Sequence, residues 1–261
     1  MLFKAEEIFM NELQTFLLGV GKEFFELPKS ELVRFTDDLE NDTFVNDIEN
    51  YPHAFVLSCC MDRQVNANRA WTICWKLKEM LDGDFSIEKL ASISVDEYIA
   101  IFEENNLHRF NFKMAQIFRN AVHRIVDMYG GDASRIWSGT PSSAAVVCRF
   151  LEFEGVGIKI ATMATNILAR QFKVPLSDYC SIDISPDVHI RRVMFRCGLI
   201  NDEEDTDYII YKAREICPEF PGIIDHSLWD IGRSFCRPSE PLCNDCSISD
   251  YCQKKHLAGT P

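Results

Sequence analysis

The sequence predicts an all-α protein of two lobes. Apolar residues recur with helical period along most of the 261 residues, no segment keeps the alternation of a half-buried strand, and several segment starts carry helix-cap chemistry. Helices are predicted at 4–18, 53–63, 67–81, 86–91, 95–105, 111–129, 141–153, 157–172, 187–197, 205–216 and 222–235. Asp82-Gly83 closes the third of these and Gly130-Gly131-Asp132 closes the sixth. Ser94 followed by Glu97 opens 95–105 as a capping box, and Thr140 before Pro141 opens 141–153 with proline at its first position. The acidic, apolar-rich stretch 35–50 reads either as a loop packed across the lobes or as another helix.

Composition bounds the setting. Hydrophobic residues make up 47% of the chain, yet no apolar run approaches the roughly 20 residues a membrane span needs. The N-terminus MLFKAEEIFMNELQTF carries acids where a signal peptide carries bases. The expectation is a cytoplasmic, intracellular protein with no membrane partner, nucleoid-associated if bacterial. The net charge of −13 argues against nucleic acid until its distribution is considered. Residues 1–50 hold twelve acids and four bases, and Asp202, Glu203, Glu204, Asp205 and Asp207 add five more negative charges. The rest of the chain is neutral, which leaves room for a local basic face.

Eleven cysteines, an odd number without an export signal, point to thiols that are free, metal-bound or catalytic. Cys59, Cys60, Cys74, Cys148, Cys180, Cys197 and Cys217 are scattered in apolar segments, where free cysteine serves as a small core residue. Cys236, Cys243, Cys246 and Cys252 instead crowd into seventeen residues as C-x6-C-x2-C-x5-C, with Pro238 and Pro241 as turn formers. Four thiolates in so short a loop can converge on one metal centre. Structural zinc sites favour two close pairs. One close pair flanked by two single cysteines suits the wider cubane of a [4Fe–4S] cluster, with zinc as the competing reading.

Residues 149–164, RFLEFEGVGIKIATMA, read as a helix, a tight Gly155-Val156-Gly157 turn and a second helix. Glycines without Cβ let a phosphate approach the backbone, and the amides that open the next helix point at it. The bland alternative is a glycine turn with no ligand. Lys159 falls in the first turn of the second helix, beside its apolar stripe, and a lysine amine in its neutral form is a nucleophile. Downstream, Pro186-Asp187 opens a helix that carries Arg191, Arg192 and Arg196. An acid at that point caps the helix.

These pieces in this order resemble the endonuclease III branch of the helix-hairpin-helix DNA glycosylases. The resemblance rests on FEGVGIKIA, on Asp187-Val188-His189-Ile190-Arg191-Arg192-Val193, on HSLWDIGRSFC and on the cysteine spacing, and it covers roughly residues 53–255. VLSCCMDRQVNANRAW resembles the segment whose glutamine enters the DNA stack, here Gln64. The related adenine glycosylases lack the hairpin lysine and carry a glutamate near the position of Cys60. This chain has the lysine and lacks the glutamate, as the lyase-competent branch does.

The resemblance implies a two-lobed helix-hairpin-helix glycosylase fold. It has a six-helix lobe at 53–186, C-terminal helices with a [4Fe–4S] cluster loop at 187–261, and an acidic extension at 1–52 packing with the cluster lobe. It implies base-excision repair by a monomer on double-stranded DNA with a damaged or modified base, flipped out of the stack. Lys159 would attack C1′ and Asp187 would support the amine and the sugar cation. Gln64, Gly155, Val156, Gly157 and Arg191 would contact DNA. Cys236, Cys243, Cys246 and Cys252 would hold a structural cluster. The interval from Lys159 to Asp187 is longer than the family pattern, with the extra residues near 173–186, so Asp183 is a second candidate carboxylate. The alternatives are a monofunctional glycosylase for a special base and a catalytically idle iron–sulfur DNA-binding protein.

Overall fold

The structure, a computed structural model, describes residues 2–29, 32–201 and 205–255, with side chains from Glu12 onward. Asp202, Glu203 and Glu204 of the acidic run lie outside the described residues. The described chain is helical, in the order α1 Leu2–Glu26, α2 Leu39–Asn46, α3 Pro52–Met61, α4 Ala67–Trp71, α5 Ile73–Met80, α6 Ile87–Ser92, α7 Val95–Glu104, α8 Asn111–Tyr129, α9 Ser143–Leu151, α10 Ile158–Arg170, α11 Val188–Cys197, α12 Thr206–Ile216 and α13 Asp225–Ser234. No helix of the described residues is long and apolar enough to cross a membrane.

The chain divides into two compact units, Lys29–Leu176 and the combination of Met1–Pro28 with Ser177–Pro261. The sequence placed the lobe boundaries at 52/53 and 186/187. The difference arises because residues 29–52 join the unit of α2–α10, whereas 177–186 join the unit of α11–α13.

In the Lys29–Leu176 unit the centre is α3. It is apolar on all sides and every one of its residues is buried. It packs on α2, α4, α5, α8, α10 and the 3-10 turn Ala133–Ile136. The stretch 35–50 contains α2, whose N-cap Asp38 accepts hydrogen bonds from the amides of Glu40 and Asn41. The buried Asp42 accepts from the Thr36 amide and hydroxyl, both at 2.9 Å, and pairs with Arg34 at 2.9 Å. Local polar satisfaction of this kind has no periodicity for a sequence reading to detect.

Two predicted helices change shape. The segment 67–81 breaks at Thr72, whose hydroxyl donates to the Arg69 carbonyl and competes with the backbone ladder. The helix predicted at 141–153 starts later, at Ser143: Thr140 adopts a left-handed φ of 51°, and the Ser142 hydroxyl accepts from the Ala145 amide as the cap. The Ser94–Glu97 capping box forms as expected.

In the other unit α1 is longer than predicted. Gly21 lets it run against the turn Pro221–Ile224, where a Cβ would lie 2.6 Å from the Ile223 carbonyl oxygen. Phe24 stacks on His226 with ring centres 4.4 Å apart, Phe25 meets Tyr179 and Phe220 edge-on, and Phe16 leans on Tyr251. α11 and α13 approach closely at Gly232, where a Cβ would lie 2.7 Å from His189 Cβ. Of the seven cysteines assigned to the core, Cys59, Cys60, Cys74 and Cys197 are buried there. Cys148, Cys180 and Cys217 are not: the first is exposed on α9, the second is exposed in a non-helical segment, and the third is half-buried at the end of α12.

Candidate functional site

The hairpin is shaped by two glycines in different roles. Gly155 has a left-handed φ of +82°, and a Cβ there would meet Arg63 Nη1 at 2.9 Å and Ile117 Cδ1 at 3.3 Å. Gly157 is the extended N-cap of α10, with nothing within 4 Å of a would-be Cβ and no side-chain cap. Between them Val156 is buried and anchors the turn. The turn is fastened to α8: the Glu154 carboxylate accepts from Lys113 Nζ at 2.6 Å and Asn120 Nδ2 at 2.7 Å, which holds its pKa below the usual carboxylate range. Glu152 pairs with Arg124. The uncapped first turn of α10 therefore faces outward at Gly157, Ile158 and Lys159, all exposed. Its free amides suit an anion.

Lys159 lines an open cavity of about 740 Å³ together with Asp62, Gln64, Val65, Asn66, Arg69 and Arg109. Three cations and one acid give this surface a positive balance, against the acidity of the whole chain. Gln64 stands in the loop between α3 and α4 with a left-handed φ of 52°. Arg69 Nε donates to the Leu107 carbonyl at 3.1 Å and Nη2 to Asn106 Oδ1 at 2.9 Å, so this arginine is tied to the loop before α8. Arg109 lies over the exposed ring of Phe110, 5.2 Å from its centre. The sequence reading named Lys159 and Gln64 separately, and did not name Asp62, Asn66, Arg69 and Arg109, which line the same cavity. Three of those four lie in the segment VLSCCMDRQVNANRAW, and the adjacent Arg109 and Phe110 were a readable signal for the fourth.

In the Ser177–Pro261 unit, Asp187 is the N-cap of α11, and its Oδ1 accepts from the amides of His189 and Ile190, both at 2.9 Å. Asp183 is buried and bound by Arg214 through both carboxylate oxygens. That pairing raises the arginine's pKa above its ordinary value. Arg191, expected on DNA, donates to the Pro186 carbonyl at 3.0 Å and to the Thr206 hydroxyl. The next two arginines hold the cysteine loop. Arg192 is buried and donates to the carbonyls of Val188, Gly232 and Cys236. Arg196 donates to Cys236 Sγ at 3.6 Å and to the carbonyls of Arg237 and Pro238, while its own carbonyl accepts from the Lys255 amide at 3.0 Å.

Cys236, Cys243, Cys246 and Cys252 line a single cavity with Val193, Ile231 and Ile248. Burial pushes the Cys252 thiol up to about 11 and raises Cys246, and in each case the neighbouring cysteines add to the rise. The four cysteines thus line one apolar cavity, a setting that a metal's positive charge would relieve. Among the described residues no group of three or more His, Cys, Asp or Glu side chains is disposed to hold a single metal ion.

No protein-family model matches the chain. Endonuclease III of Thermotoga maritima is 25% identical over 169 residues, 64% of this chain and 67% of that protein. Endonuclease III of Sulfolobus acidocaldarius is 30% identical over 103 residues, 38% of this chain and 41% of that protein. A trapped endonuclease III–DNA covalent intermediate superposes with a TM-score of 0.60 at 17% identity, covering 92% of this chain and 94% of that one. A thermostable thymine-DNA glycosylase superposes at 0.59 and 14% identity, covering 94% and 97%. The chain resembles the endonuclease III proteins in sequence and has their fold, that of the helix-hairpin-helix DNA glycosylases.

Proposed function

We propose that the chain is a base-excision DNA glycosylase with an associated lyase activity, working as a monomer on double-stranded DNA that carries a damaged or modified base. The observation that carries this reading is Lys159, exposed at the uncapped start of α10 and lining one polar cavity with Gln64, Arg69 and Arg109. The hairpin amides around Gly155, Val156 and Gly157 would grip a phosphate, Gln64 would enter the stack, and the extruded base would be read outside it. Arg191 would act near the DNA through the loop it braces at Pro186.

Lys159 Nζ, as the free amine, adds to C1′ of the target nucleotide. The bond from C1′ to the base breaks, and its electron pair leaves with the base, which takes up a proton. Ring opening gives a protonated Schiff base between Lys159 and the sugar. Loss of a C2′ proton then expels the 3′ phosphate, and water releases the lysine. Asp187 accepts the amine's proton and steadies the developing sugar cation. The commitment of Asp183 to Arg214 supports Asp187 in this role, and its helix cap orients the carboxylate rigidly.

Cys236, Cys243, Cys246 and Cys252 would hold a [4Fe–4S] cluster that supplies structural cohesion and no chemistry. Arg192 and Arg196 hold the loop's first ligand in place.

A panel of duplexes, each with one damaged base, tests the reading when incubated with the protein and borohydride. Base release with a covalent protein–DNA product is expected on at least one duplex. Base release without the covalent product would mean a monofunctional glycosylase, and neither on any duplex would overturn the reading.

A further inference from the structure

His108 is fully buried beside the loop that carries Gln64, yet nothing in the chemistry above employs it. Its Nδ1 accepts the Phe110 amide at 3.1 Å, which fixes the neutral tautomer with the proton on Nε2. That Nε2 is enclosed and closes no hydrogen bond of standard geometry, and the backbone of Met61 and Arg63 lies within reach of the ring. Those two residues begin the turn that leads into Gln64. Burial lowers the pKa of the ring, so the neutral form persists.

Two turns meet at this ring. Gln64 and Asn106 both stand in left-handed conformations, at φ of 52° and 46°, one that asparagine tolerates and glutamine rarely adopts. Arg69 ties the two turns from one side through Leu107 and Asn106. His108 is buried between the Phe110 amide it accepts and the backbone of Met61 and Arg63 within its reach. We propose that His108 is a positioning residue for Gln64: it holds the 62–66 turn in the shape that aims Gln64 and Arg69 at the nucleic acid. This rests on the glycosylase reading for what Gln64 contacts, but the hold on the turn does not.

The test therefore has two arms. In the first, amide hydrogen exchange is followed across residues 61–69 in the DNA-free protein. His108→Asn keeps an acceptor for Phe110 and loses the donor toward Met61 and Arg63, whereas His108→Gln keeps a donor on the longer side chain. Exchange of 62–66 should rise about tenfold in His108→Asn, with α8 unchanged, and should recover in part in His108→Gln. Unchanged exchange at 62–66 in His108→Asn would overturn the proposal whatever the protein binds.

In the second arm, the fluorescence of 2-aminopurine placed opposite a stable abasic analogue reports entry of a side chain into the stack. If wild type does not prefer that duplex to an undamaged one, the glycosylase reading fails, and the first arm alone decides on His108. If it does, His108→Asn should lose the fluorescence change that Gln64→Ala also loses. The double variant should lose no more than either single one. Additive losses would mean that His108 acts elsewhere. Should His108→Asn fail to fold, His108→Leu, which keeps bulk without a donor, carries both arms, with the same rise in exchange expected and no rise overturning the proposal.

Discussion

Arg214 holds Asp183 through both carboxylate oxygens, at 2.7 and 2.8 Å, in a buried position on the segment before α11. An acid held this way is structural. Asp183→Asn should cost about 1–3 kcal/mol of stability, the scale of losing a charged hydrogen bond to a half-exposed arginine, and should leave base release nearly intact. Asp187→Asn should cut single-turnover base release by roughly 10²-fold while the fold survives, since an asparagine oxygen still caps α11. If the rates of the two variants are reversed, the catalytic carboxylate is Asp183.

The two hairpin glycines separate stability from DNA affinity. Gly155→Ala puts a side chain at φ +82° against Arg63 and Ile117, and should destabilise by about 1 kcal/mol or more. Gly157→Ala meets open space and should leave the thermal midpoint nearly unchanged, yet weaken DNA binding, because its methyl stands where a phosphate would approach. Equal effects of both on melting and on binding would show that the hairpin is only a helix connection.

The cysteine loop should carry about four irons per chain after anaerobic purification, with visible charge-transfer absorbance. Cys243→Ser should lose both and loosen the packing of 236–252 on α11, because a metal loop has little core of its own. Zinc in place of iron would contradict the cluster reading.

Lys78 lies over three rings, 4.6 Å from the centre of Phe44, 5.2 Å from Tyr51 and 5.0 Å from Trp75. This joins α2 to α5 within one unit. Lys78→Met keeps the aliphatic stem and removes the charge, and should lower stability by about 1–2 kcal/mol with little dependence on salt. A loss that vanishes in moderate salt would point to ordinary surface ion pairing instead.

What the sequence made legible was what rests on local spacing. The four cysteines, the hairpin with Lys159, and the cap at Asp187 are each encoded within a few residues, and the Ser94–Glu97 capping box formed where it was read. What it hid depends on contacts distant along the chain. Arg109 joins Gln64 on one cavity only through folding, and Arg192 and Arg196, read merely as arginines on a helix, reach more than forty residues ahead to Cys236 and Pro238. The stretch 35–50 was ambiguous for another reason: its order comes from hydrogen bonds converging on Asp42, which leave no periodic trace.

The role of Lys159 is tested most directly by borohydride trapping on a duplex with an abasic site. Wild type and Lys159→Gln are compared at matched occupancy, with the crosslinked peptide located by mass spectrometry. Wild type should trap efficiently with the sugar on Lys159, and Lys159→Gln should lose trapping while binding the same duplex with nearly unchanged affinity, because the hairpin amides remain. Undiminished trapping in Lys159→Gln, or a wild-type crosslink on another amine, would contradict Lys159 as the nucleophile.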